Sequence, residues 1–472
     1  MRHPLALMCL LLATAAPVAA QPSGAPAPEH WRQVARDIYR EAVAIPTVQG
    51  RGQVPALANS LAERFRAAGF SDVTVRRYDV EQPDDQTAAL IVRWPAARPS
   101  GRKAMLLMAH MDVVEARRED WSRDPFQLGE EDGYFYGRGS VDDKLGVTAI
   151  TTALLRLRAE GFQPDRDIIV LFTGDEETGG RGAELAANEW LDTSRIDFAL
   201  NGDAGGGAFD TGGNLLGFGI QTAEKVYQDF TFSVTNPGGH SSRPRADNAI
   251  YSLARALTRL EHYRFPPMQN ETTRAYFEHR ATSADPALAT MIRRWLANPD
   301  DGEAADAIEA TPTEAGLTRT RCVATRLSGG HANNALPQLA TANVNCRIFP
   351  GVDPARVLET LREIAAPDQV TVEPVAVAHP SDASPLREDV VGAYRAAVHA
   401  RHPGAAIVPE MSAGATDGLF FRVRGVPVYG VEGGWLVTPT DERAHGRDER
   451  LPVRAFDEDI DHWTDMIRRL AS

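Results

Sequence analysis

The chain has 472 residues, 43% hydrophobic and 24% charged, with 50 basic against 64 acidic side chains and a formal net charge of −14. That length exceeds one ordinary core and implies two domains or three, with the composition of a soluble globular protein. The acidic balance argues against nucleic acid and against an anionic membrane surface as partners.

Arg2 and His3 precede an apolar run over 5–13, and Val18-Ala19-Ala20 stands just before Gln21. This is the pattern of a signal peptide over 1–20, too short to span a membrane, so a periplasmic or secreted protein is expected. Loss of Arg2 with the leader makes the chain one unit more acidic, and loss of Cys9 leaves Cys322 and Cys346. Both lie in strand-like segments, 320–325 and 341–348. A disulfide and a pair of buried free thiols are both open readings.

Residues 21–29 read as a flexible leader. Helices are predicted from Trp31 to about Ile45 and over 55–68, and strands over 73–78, 88–94 and 104–109, the last ending at His110. A helix follows over 144–160, then strands over 168–172 and 198–200. Alternation of apolar strands with helices indicates an α/β domain around a mostly parallel sheet. The texture changes near Tyr227. A strand over 230–235, a helix over 246–260, a polar helical stretch over 266–315, and strands over 322–327 and 341–348 suggest a smaller inserted α+β domain. The α/β texture returns with a helix from Pro354 to Ile364, strands over 370–375 and 426–429, and a helix over 456–470. The expected division is a catalytic unit of 21–226 plus 352–472, with 227–351 inserted.

Five segments place metal-capable side chains at or after strand ends, where sites form in open α/β sheets. Strand alternation puts His110 and Asp112 on one side, where a carboxylate can orient a ligating imidazole. Asp142 and Asp143 follow a glycine turn at a helix start. One acid suffices as a cap, and the other is free to bridge two metal ions. Asp175, Glu176 and Glu177 crowd three acids after a buried strand, which is costly without nearby positive charge. Asp203 follows the strand over 198–200, and His445 lies in a polar loop near the C-terminus.

In this order and spacing the segments resemble the metallopeptidase family of glutamate carboxypeptidase, carnosinase, succinyl-diaminopimelate desuccinylase and the aminoacylases. The resemblance rests on HMD at 110–112, DGYFYGRGSVDDK at 132–144, TGDEE at 173–177, GGHSSRP at 238–244, NALP at 334–337 and AHGRDERLP at 444–452. It runs from about residue 32 to the C-terminus and looks most like the carboxypeptidase S and N-acyl-amino-acid hydrolase branch. It implies a phosphorylase/hydrolase-like α/β fold with helices on both faces and an inserted lid or dimerisation domain. It also implies two Zn²⁺ per subunit, replaceable by Mn²⁺ or Co²⁺. His110 and Asp203 match ligands of one metal, Glu177 and His445 those of the other, and Asp142 the bridge. Asp112 matches the acid that orients His110, and Glu176 the general base. His240 matches a histidine that stabilises the oxyanion and that enters from the other subunit in dimeric members; whether it acts in cis or in trans here is left open, as is a homodimer through the inserted domain. Arg347 matches a grip on the substrate carboxylate. Asn334 and Gly414 match substrate-contacting positions. The expected substrate is a small peptide, cleaved by carboxypeptidase or dipeptidase action, or else an N-acyl amino acid. A metal-free binding protein on the same scaffold is the remote alternative.

Overall fold

The computed structural model describes residues 26–80, 86–376 and 378–472. The leader read at 1–20, Cys9 included, lies outside these residues. An eight-stranded sheet runs from edge to edge in the order Asp72–Asp79, Gln86–Trp94, Ile168–Thr173, Ala104–His110, Ile196–Phe209, Val428–Val437, Leu215–Glu224 and Ile407–Ser412. Its strands are apolar on both sides because both sides are covered. Leu90, Val92, Met105 and Leu107 join the larger core with the helices Glu29–Ala44, Val54–Ala67, Lys144–Ala159, Glu388–His399 and Val453–Leu470. Their neighbours Ala89, Ile91, Leu106 and Met108 join a smaller core on the opposite face, beside the short helices Arg181–Leu185 and Gly418–Val423.

The sheet is mixed, which corrects the expectation of a mostly parallel one. Its four central strands are parallel to one another, and the two strands at the 407–412 edge are parallel as well. Strand 86–94 is antiparallel to both its neighbours, and 215–224 runs antiparallel to 196–209. Two of these reversals, 72–79 with 86–94 and 196–209 with 215–224, join strands consecutive in the chain without a crossover helix, and such a connection yields antiparallel pairing. Strand 196–209 is far longer than the predicted 198–200. Its glycines at 202, 205, 206 and 207 hide it, because glycine carries no strand propensity of its own.

A four-stranded antiparallel sheet forms the second unit, in the order Arg321–Gly329, Leu339–Ile348, Val226–Thr235 and Thr371–Pro374. The helices Ala249–His262 and Pro354–Ala365 supply its core. The boundary predicted at 351 therefore moves: helix 354–365 and strand 371–374 belong to the smaller unit. Cys322 and Cys346 face each other across paired strands and are disulfide-bonded.

The stretch predicted as polar and helical contains three helices, Glu271–Ser283, Pro286–Ala297 and Gly302–Glu309. They pack around Phe277, Ile292 and Trp295 in a core of their own. Helix 271–283 lies against strand 407–412, so the insertion reaches back over the edge of the large sheet. No helix among the described residues is long and apolar enough to cross a membrane.

Candidate metal centre

Parallel register brings the polar strand ends together. His110 pairs with Thr173, and Met108 with Asn201, so the segments after 110, 173 and 201 emerge side by side. Asp112 ties two of them, since its carboxylate accepts the backbone N–H groups of Glu176 at 3.2 Å and Glu177 at 3.0 Å. The same carboxylate lies 3.5 Å from His110 Nδ1, which is also 3.0 Å from the Asp112 carbonyl.

Asp142 sits between two imidazoles. One oxygen is 2.9 Å from His110 Nε2 and the other 3.0 Å from His445 Nε2. Asp203 lies 3.6 Å from His110 Nε2, and Glu177 lies 3.0 Å from His445 Nε2. Asp143 is engaged differently. It accepts Gly146 N–H as the cap of helix 144–159, and its second oxygen accepts His110 N–H.

Crowding these groups perturbs them. Burial opposes ionisation of Asp142, but hydrogen bonds from His110 and His445 outweigh it and hold its carboxyl well below the usual range. Burial pushes Asp203 up to about 6 against the pull of His110. Burial, reinforced by the charge of Asp203, drives Glu176 well above an ordinary glutamate. Hydrogen bonds to Asp142 and Glu177 raise His445 to about 10. Such a cluster calls for cations.

The residues fit a pair of metal ions. Ligand atoms of His110, Asp142 and Glu177 converge within 4.8 Å of one another, as do those of His110, Asp143 and Asp203. The second Glu177 oxygen, Oε1, is buried with no hydrogen-bond partner, a cost that a bound cation would remove. Imidazole and carboxylate are ordinary zinc donors. Both Asp143 oxygens already accept backbone N–H groups, which favours Asp142 over Asp143 as the bridge.

A cavity of about 700 Å³ opens over this cluster. Asp142, Glu176, Glu177, Asp203 and His445 line one end. Thr273 and Tyr276 of helix 271–283, with the loop that follows strand 407–412, line the other. Gly414 lies in that loop, between the lining residues Ala413 and Ala415. Arg347 stands just behind it, donating Nη1–H to the Ala413 carbonyl at 2.9 Å and stacking on Tyr227. The single chain does not bring His240 and Asn334 into the cavity. Both are exposed on a two-stranded ribbon in which Gly239–His240 pairs with Ala335–Leu336.

Several supporting residues escaped sequence reasoning. Glu449 is fully buried and binds the turn that presents Asp142; its place in the AHGRDERLP segment was the available signal. Glu224 accepts from Thr416 at 2.5 Å and pairs with Arg422 at 2.9 Å, which anchors the loop carrying Gly414. Lys225 beside it is buried, with its ammonium on the Arg319 carbonyl. Glu410, a lone acid in strand 407–412, also lines the cavity.

Comparison with known proteins identifies the family. The profile of "Peptidase family M20/M25/M40" matches residues 106–469. A probable carboxypeptidase S-like 2 of Dictyostelium discoideum is 28% identical over 397 residues, covering 80% of this chain and 74% of that protein. The human N-fatty-acyl-amino acid synthase/hydrolase PM20D1 is 30% identical over 380 residues, covering 77% and 73%. Among solved structures, the M20 family metallo-carboxypeptidase Sso-CP2 of Sulfolobus solfataricus shares the fold with a TM-score of 0.67 at 18% identity, covering 93% of this chain and 99% of that one. The chain belongs to peptidase family M20/M25/M40 and is a zinc-dependent hydrolase.

Proposed function

We propose that the protein hydrolyses the amide bond of a small peptide next to a free carboxylate, as a carboxypeptidase or dipeptidase. In this reading His110, Asp142 and Asp203 hold one zinc, and Asp142, Glu177 and His445 hold the other. The observation that carries it is the Asp142 carboxylate facing His110 and His445 with its two oxygens, with Glu176 lining the same cavity. Two dications bound there would acidify a water and polarise the scissile carbonyl.

The chain's own groups supply the rest. Glu176 takes a proton from the attacking water and delivers it to the leaving nitrogen. Asp112 fixes the base by holding its backbone N–H. The charge that develops on the carbonyl oxygen needs a donor. Ser242 N–H donates to His240 Nδ1 at 3.2 Å, which leaves the proton on Nε2 and that nitrogen free to donate. Since His240 stands exposed and away from the cavity of its own chain, we assign it to the site of a second subunit, in a homodimer built on the inserted unit. Arg347 and Asn334 would contact the substrate carboxylate and amide in the same assembly. We read the 1–20 sequence pattern as a leader, which would send the protein to the periplasm or the exterior.

The 30% identity to a protein named an N-fatty-acyl-amino acid synthase/hydrolase favours a second reading, N-acyl-amino-acid hydrolysis. A panel of dipeptides, C-terminally varied peptides and N-acyl amino acids, assayed with zinc and then manganese or cobalt, separates the two. Turnover of peptides over acyl amino acids is expected. Turnover of acyl amino acids alone favours deacylation, and no metal-dependent turnover of either class contradicts both.

A further inference from the structure

The far wall of the cavity carries two acceptors that the metal centre does not use. Glu410 lies at its wall on strand 407–412, and no side-chain hydrogen bond or ion pair reaches its carboxylate among the described residues. Burial pushes its carboxyl up to about 7. Gln221 is its register partner on strand 215–224 and is only 4% exposed. The Gln221 amide N–H donates to Glu224 at 3.3 Å, and its Oε1 is buried with no partner. Two unpaired acceptors in one wall complement a group that is all donors.

The wall is shaped for this. A Cβ on Gly219 would fall 2.3 Å from a Glu410 carboxylate oxygen, so the carboxylate occupies space that only glycine leaves open. No lysine or arginine lines the cavity among the described residues. Position sets the kind of cation. Gly219 pairs with Gly206, three residues beyond Asp203 on the same strand. That separation, three residues along and one strand across, is up to about 10 Å. An α-amino group, bonded next to the scissile carbonyl, falls short of it. The charged end of a lysine or arginine side chain, roughly 6 Å from its own Cα, reaches hydrogen-bonding distance.

We propose that Glu410 and Gln221 form a specificity pocket for a long cationic side chain, an ammonium or guanidinium carried by a residue flanking the scissile amide. The assignment rests on the hydrolase reading above for the placement of the scissile bond. One carboxylate and one unpaired amide oxygen, with no lysine or arginine among the described lining residues, define the chemistry, and a fatty acyl chain would leave both acceptors unpaired.

Binding tests this without depending on turnover. Zinc-loaded Glu176→Gln protein is titrated calorimetrically with Ala-Lys and Lys-Ala, and with the norleucine isosteres Ala-Nle and Nle-Ala. The lysine member of at least one pair is expected to bind about ten- to a hundredfold more tightly. Glu410→Gln in the same background should reduce that ratio to within about threefold. Gly219→Ala, which displaces the carboxylate without altering it, should do the same and guards against misfolding of the first variant. Equal binding of lysine and norleucine ligands, or a preference that survives Glu410→Gln, overturns the proposal. If the zinc-loaded parent protein hydrolyses none of the four while the binding preference stands, the hydrolase reading fails and the cation pocket does not.

Discussion

Glu449 lies outside the expected ligand set, yet one carboxylate ties together the two loops that carry Asp142 and His445. One oxygen accepts Arg138 Nη1 at 2.6 Å and Gly139 N at 3.1 Å; the other accepts Val141 N at 2.7 Å and Asp142 N at 3.2 Å. Arg138 is buried as well and returns to the second loop through the Gly446 carbonyl at 2.9 Å. Glu449→Gln keeps the size, removes the charge and turns a donor toward backbone N–H groups. Removing one partner of a buried ion pair costs about 3–5 kcal/mol. Because the loop that presents Asp142 is released, metal affinity should fall by about ten- to a hundredfold. Chelator competition measures the affinity, and thermal unfolding of metal-free protein measures the stability. An Arg138→Met/Glu449→Gln double variant should recover part of the stability, since no buried guanidinium is left without its counter-charge, and none of the affinity. A Glu449→Gln protein within about 0.5 kcal/mol of the parent, with unchanged metal affinity, would refute the reasoning.

Asp112→Ala frees His110 and the backbone of Glu176, and chelator competition should show about ten- to a hundredfold weaker metal binding; unchanged affinity contradicts the positioning role. If His240 acts across a dimer, inactive His240→Ala and inactive Glu176→Gln proteins should complement when mixed and reassembled. Half the dimers would be hybrids with one intact site, giving about a quarter of parental activity, whereas a histidine acting in its own subunit restores none. Glu410 and Asp459 are both raised to about 7, chiefly by burial. Their unfolded carboxyls titrate near 4, so between about pH 4 and pH 7 the folded chain holds more protons and its stability falls as pH rises. Melting temperatures of metal-free protein from pH 5 to pH 8 should show this decline, and Glu410→Gln with Asp459→Asn should flatten it. A rise over that interval has the wrong sign.

The centre was legible because its chemistry is local. His110, Asp142, Glu177 and Asp203 each follow a turn or an apolar strand in a short segment, and parallel strand ends gather such segments without further instruction. What the sequence concealed depends on long-range pairing. Strand 371–374 reads like its neighbours in the large domain, and only its register with Val226–Thr235 assigns it to the smaller sheet. The glycines of 202–207 erased the strand signal that carries the cavity floor. Glu410 and Tyr276 drew no reading from the sequence, because neither segment announces that helix 271–283 folds back over strand 407–412. Cys322 and Cys346 stayed ambiguous until the pairing of their strands placed them opposite one another.

The most direct test of the central claim is metal content and turnover measured together on Glu176→Gln. Glu176 lines the cavity but coordinates nothing in this account, so the variant should bind two equivalents of zinc, as the parent does, by elemental analysis. Its kcat on the best peptide of the panel should fall by about 10²- to 10⁴-fold. A variant that carries both metals and turns over near the parental rate contradicts the assignment of Glu176 as the base.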